Sequence, residues 1–112
     1  MDTCLFCKII NGKIPCKKIY EDDFVLAFED IHPQVKNHIL FVPKKHIANI
    51  NELEDKETLT KIYNAIKKIS KELGIDKSGY RVSVNNGPDA GQTVFHLHFH
   101  LLGGEKLSDK MA

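Results

Sequence analysis

A chain of 112 residues with a formal charge of +1 and a pI near 7.7 has neither the basic field that holds nucleic acid nor an acidic tail, so any anion it recognises must be gripped locally. The length suits one domain, residues 1–112, with a core that needs no disulfides, and three cysteines, an odd number, point to free thiols or a metal site in a reducing compartment. No positively charged N-terminal segment precedes an apolar run, and Ile39 to Val42 is far too short to span a bilayer, so a cytoplasmic protein acting on a small molecule, with no membrane partner, is expected.

Asp2 and Thr3 are placed to cap a short helix running to Asn11, with Gly12 in the left-handed position after it and Leu5, Phe6, Ile9 and Ile10 on its apolar face. Cys4 and Cys7 share one side of that helix, which suits either metal chelation, with partners from elsewhere, or two half-buried thiols. Cys16, beside Pro15, reads as a small loop residue. Lys18 to Glu21 and Phe24 to Asp30 read as strands joined at Asp22-Asp23, and Ile31 to Gln34 as a loop. His38 to Val42 is a strand stopped by Pro43, with Lys44, Lys45 and His46 in the connector.

Asp55 to Leu73 is the one long helix, with Leu59, Ile62, Ile66, Ile69 and Leu73 at spacings of three and four, ended by Gly74. That stripe fits a sheet-packing face, part of which could serve a dimer. Tyr80, Val82 and Val84 alternate as a further strand, and Asn85 to Gly91 is a turn-rich loop. Phe95 to Leu101 then alternates apolar residues with histidine, the period of a half-buried strand that sends Phe95, Leu97, Phe99 and Leu101 into the core and His96, His98 and His100 to the opposite face. The whole reads as an α+β fold, a single antiparallel sheet of about five strands with one long and one short helix on one face.

Same-face residues on a strand lie about 6.6 Å apart, so two neighbouring histidines can share one small anion and the outer pair cannot. Neutral imidazole is a nucleophile near pH 7, and a protonated one neutralises a phosphate oxygen; His98 and His100 are placed for that division. Gly87 and Gly91 can bring backbone N–H groups to phosphate oxygens, and Thr93 adds a hydroxyl. No carboxylate cluster with Mg²⁺ spacing and no Gly-x-x-x-x-Gly-Lys loop is present in the sequence, so no Mg²⁺ is required.

His96-Leu97-His98-Phe99-His100-Leu101-Leu102 resembles the signature of the histidine triad superfamily of nucleotide hydrolases and transferases. Phe6 to Ile10 with Ile14-Pro15, Phe28 to Ile31, His38 to His46 and Gly91 to Val94 are similar to its Hint branch, from about residue 4 to residue 104. The resemblance implies an antiparallel sheet with helices, a homodimer, and cleavage of purine nucleoside 5′-phosphoramidates. It implies that His98 carries the nucleotidyl intermediate, that His100 and His38 contact phosphate, and that Asp30 holds the ribose. Phe6, Ile9 and Ile31 would wall the base, with Asn85, Gly91, Gln92 and Thr93 on the phosphate side. Gly87 to Val94 is also close to the Fhit branch, which splits dinucleoside polyphosphates.

A structural zinc ion needs four ligands. Cys4 and Cys7 supply two, and resemblance to bacterial Hint-like zinc binders with this Cys-x-x-Cys implies His46 and His96 as the others. The competing reading is a non-catalytic, zinc-stabilised nucleotide-binding module, which accounts for the cysteines but not for His38, Asp30 or the glycine loop. His32 stays a loop residue.

Overall fold

The computed structural model describes residues 3–110. Helix α1 (Leu5–Ile10) precedes strands β1 (Lys18–Glu21), β2 (Val25–Glu29) and β3 (Asn37–Pro43); helix α2 (Lys56–Glu72) follows, then β4 (Tyr80–Ser83) and β5 (Phe99–Gly103). All pairings are antiparallel, in the order β1-β2-β3-β5-β4, which makes β4 an edge. No helix among the described residues is long and apolar enough to cross a membrane.

The sequence signals for α2 act as expected. Asp55 accepts from the Glu57 N–H and the Thr58 hydroxyl at its start. At its end Gly74 takes φ 75° and the Ile75 N–H returns to the Ser70 carbonyl at 3.0 Å, closing a Schellman turn. Ile62, Ile66 and Ile69 are buried, whereas Leu59 and Leu73, at the ends of the stripe, are 46% and 37% exposed.

Three expectations change. First, α1 is capped by Cys4, whose sulfur accepts from the Cys7 N–H at 3.2 Å, instead of by Thr3; Asp2 lies outside the described residues. Second, the helices lie on opposite faces of the sheet. Val25, Ala27, Ile39, Phe41 and Leu101 pack on α2, while Leu26, Phe28, Leu40 and Val42 pack on Phe6 of α1. The unbroken run Ile39 to Val42 carries the signal, since a strand covered on both sides does not alternate. Third, β5 begins only at Phe99, so Phe95 is half exposed, His96 and His98 precede the strand, and only His100 belongs to it.

The ladder stops because β3 runs into Pro43, which has no N–H to donate. The Leu97 N–H turns away to the Ile47 carbonyl at 2.7 Å. Gly103 and Gly104 end β5 for packing reasons: a Cβ on Gly103 would stand 2.8 Å from Ile75 Cδ1, and Gly104 has φ 90° with its Cβ position 2.5 Å from Asn37 Nδ2.

Candidate functional site

On the α1 face of the sheet a cleft of about 330 Å³ opens between α1, the start of the loop after β2 and the approach to β5. Its size falls in the range of small-ligand sites. Phe6 forms its floor, with its ring 5.6 Å from Phe28 and 5.0 Å from His98, both edge-on. Ile9 lines one side, Ile31 stands on the rim at 82% exposure, and Asp30, Thr93, His98 and His100 supply the polar lining. His38 is buried beneath His100.

Not every candidate reaches the cleft. Asn85 donates to the Ala90 carbonyl at 2.7 Å and, with His38 and His100, lines a separate cavity of about 30 Å³. Gly91, at φ 82°, closes the turn Pro88–Ala90 outside the cleft lining. Gln92 is buried, and its amide is engaged within the protein: its oxygen accepts from the Gly87 N–H, and its nitrogen donates to the Ala48 and Val94 carbonyls. It shapes the loop and offers a ligand only its main chain. Phe28 and Leu40 also line the cleft, and their places in buried apolar runs carry the sequence signal for it. Ile14, Cys16 and His32 also line it, and only the tertiary structure brings those loop residues there.

Hydrogen bonds assign the histidine tautomers. The Gln34 N–H donates to His38 Nδ1 at 3.1 Å, so a neutral His38 carries its proton on Nε2 and donates it to His100 Nδ1 at 2.9 Å. His100 then keeps its own proton on Nε2. His98 donates from Nδ1 to the His96 carbonyl at 2.8 Å, which leaves an unprotonated Nε2 on the imidazole that lines the cleft. Asp30 Oδ2 lies 3.4 Å from His38 Nε2, and its Oδ1 accepts from the His32 N–H.

Burial lowers the pKa of His38 and His98, and burial followed by the charges of His98 and His38 takes His100 from its ordinary 6.5 to about 4. All three are therefore neutral at pH 7. Between pH 6.5 and 4 the unfolded chain binds the extra proton at His100 and the folded chain does not. The stability linked to this ring is complete above pH 6.5 and is lost as pH falls through 4, by about 1–2 kcal/mol after discounting for partial solvent exposure. Urea unfolding of wild type and His100→Gln at pH 7.5 and 4.5 checks this, with a shallower pH dependence expected for the variant.

Cys4, Cys7, His46 and His96 bring one ligand atom each within 4.8 Å of one another, close enough to bind a metal. His96 spends its Nε2–H on the Pro43 carbonyl at 2.8 Å, so its Nδ1 lone pair faces Cys4 Sγ at 3.4 Å and Cys7 Sγ at 3.5 Å. His46 Nδ1 stands 3.2 Å from Cys7 Sγ. A tetrahedral ion with bonds of about 2.3 Å to sulfur and about 2.0–2.1 Å to nitrogen needs sulfur–nitrogen separations of about 3.5 Å, close to those present. Burial, then the contact with Cys4, pushes the Cys7 thiol up to about 11, so a thiolate at Cys7 calls for a cation beside it. Asp30, His38 and His100 also cluster, but His38 and His100 meet nitrogen to nitrogen with ring centroids 5.2 Å apart, the head-on arrangement of a hydrogen bond and not of ligands converging on an ion.

Residues 11–107 match the HIT domain family. An uncharacterised HIT-like protein of Methanocaldococcus jannaschii is 51% identical over 102 residues, covering 88% of this chain and 77% of its own. Among solved structures, a HIT family hydrolase from Clostridium thermocellum superposes with a TM-score of 0.94 at 45% identity, covering 100% of this chain and 99% of that one. A histidine triad nucleotide-binding protein from Candida albicans superposes with a TM-score of 0.84 at 35% identity, covering 98% and 87%.

Proposed function

The chain belongs to the HIT domain family, and on that premise we propose that it hydrolyses purine nucleoside 5′-phosphoramidates through a covalent nucleotidyl intermediate on His98. The observation that carries the reading is the His98 Nδ1–H bond to the His96 carbonyl, which leaves the Nε2 lone pair for attack on phosphorus. The nucleoside occupies the apolar cleft over Phe6 and Ile9, with Ile31 at its rim and Asp30 beside the ribose hydroxyls. His100 donates from Nε2 to a phosphate oxygen, a direction enforced by the bond from His38 at its Nδ1. The Thr93 hydroxyl and the main chain at Gln92 complete the phosphate surroundings, while Asn85 and Gly91 hold the shape of the loop before them.

The reaction divides into two displacements. In the first, the His98 Nε2–P bond forms, the bond from phosphorus to the amine breaks, and the departing nitrogen takes up one proton. In the second, water attacks phosphorus, the Nε2–P bond breaks and one proton is returned, so the sum is hydrolysis to an amine and a nucleoside monophosphate. Bound zinc in the Cys4, Cys7, His46 and His96 set would supply structural stabilisation, and a two-sulfur, two-nitrogen donor set suits that ion. A reducing cytoplasm keeps those thiols available.

Adenosine 5′-phosphoramidate should be turned over without added Mg²⁺, and faster than a diadenosine polyphosphate on the same preparation. Faster turnover of the polyphosphate overturns the choice of substrate. We also infer a homodimer. The edge strand β4 leaves Tyr80 and Val82 37% and 42% exposed beside Leu59 and Tyr63 of α2, and together they border an apolar groove of about 270 Å³. Sedimentation at micromolar concentration should give a dimer, and Val82→Glu a monomer; a monomeric wild type refutes the pairing.

A further inference from the structure

His96-Leu97-His98 lies just ahead of β5 and outside its ladder, so the sheet does not hold the imidazole that lines the cleft. Contacts to other parts of the chain hold it instead. The His96 ring bonds the Pro43 carbonyl through Nε2 and faces both cysteine sulfurs through Nδ1, while the Leu97 N–H bonds the Ile47 carbonyl. The main-chain carbonyl of the same His96 receives the His98 Nδ1–H. One residue thus has its ring in the cysteine–histidine cluster and its carbonyl on the nucleophile. A second connection runs through α1: Cys4 caps the helix, and Phe6, between the two cysteines in sequence, presents its ring edge-on to His98 at 5.0 Å between centroids.

We propose that Cys4, Cys7 and His46 are positioning residues for His98, acting through the His96 main chain and the Phe6 ring, so that a metal in the cluster sets the tautomer and direction of the nucleophile. The physical reason is local. The His96 carbonyl shares its peptide unit with the Leu97 N–H, which the Ile47 carbonyl holds on one side, while the His96 ring is the anchor on the other. When the anchor loosens, the Nδ1–H bond weakens and the proton is free to move to Nε2, where it blocks the lone pair that attacks phosphorus. Burial of the nucleoside over Ile9 and Ile31 does not depend on that bond. Loss of the cluster should therefore reduce kcat more than it raises KM.

The kinetic arm of the test rests on the proposed activity; a spectroscopic arm does not. His46→Gln and Cys4→Ala each remove one ligand while leaving His96 and Phe6 in place. Each should lose zinc, lower kcat for adenosine 5′-phosphoramidate by about 10- to 100-fold and change KM by less than about threefold. In ¹⁵N-labelled protein the two His98 ring nitrogens, well separated when the Nδ1–H tautomer is fixed, should move toward a common average. Wild type stripped with a chelator should show the same movement while still folded, reversed by Zn²⁺. Zinc loss with unmoved His98 resonances overturns the proposal, as does a stripped chain that unfolds in one step with no folded species whose His98 has shifted. A wild type that cleaves no phosphoramidate while its His98 resonances still answer to Zn²⁺ overturns the substrate reading and supports this one.

Discussion

Replacing His98 by alanine should lower phosphoramidate turnover by about four orders of magnitude, the scale on which removing a covalent nucleophile acts. No neighbour is placed to substitute. His100 has its Nδ1 occupied by the proton of His38 and its own proton on Nε2, so it offers no free lone pair, and His96 is fully buried with both ring nitrogens turned away from the cleft toward Pro43 and the cysteines. Folding should survive, because the lost ring packs against Phe6 and His100 at the edge of the core and is not among the residues packed between α2 and the sheet. Alkaline quenching, which preserves a phosphorus–nitrogen bond, followed by peptide mass spectrometry should find a nucleoside monophosphate on His98 in the wild type. Turnover of His98→Ala within about tenfold of wild type, or an adduct on another residue, would remove His98 from the role.

The second large effect is expected from His96→Ala, and it falls on stability. The substitution deletes one of four clustered ligands, leaves the Pro43 carbonyl without its donor and opens a cavity where a fully buried ring stood. Metal affinity is folding free energy, and the ligand loss and cavity together should cost about 3–5 kcal/mol. For a domain of this size that lowers Tm by about 10–20 °C. Calorimetry with elemental analysis should therefore show a lower Tm and no zinc in His96→Ala, while His98→Ala keeps its zinc and melts near wild type. Equimolar zinc retained by His96→Ala, or wild type free of zinc after metal-replete growth, rules the site out. The two variants thus separate chemistry from stability within one short segment.

Both variants rest on residues that are legible in sequence, because the information is local there. The spacing of Ile62, Ile66 and Ile69 with Asp55 before them and Gly74 after them specifies α2 wherever it packs, since helix period and caps are satisfied within a few residues. The alternation of His96, His98 and His100 with apolar residues marks a candidate site, and the spacing of Cys4 and Cys7 places two thiols on one side of a short helix, without reference to any distant segment. The extent of β5 is different. A period of two says that a segment is able to pair, but where pairing ends depends on the partner strand, and β3 ends in Pro43, 53 residues before His96, with no N–H to extend the ladder. That one property of another strand frees the chain at His96, sends its ring to Cys4 and Cys7, and turns its carbonyl toward His98. The destination of Gln92, inward to Ala48 and Val94, and the placing of α1 and α2 on opposite faces are likewise long-range outcomes of satisfying buried polar groups and covering both sides of β2 and β3. The sequence alone therefore determined where histidines and cysteines gather, and tertiary structure decided what each of the three imidazoles meets, because hydrogen-bond partners of an imidazole are chosen by whichever strands and loops arrive beside it and not by its neighbours in the chain.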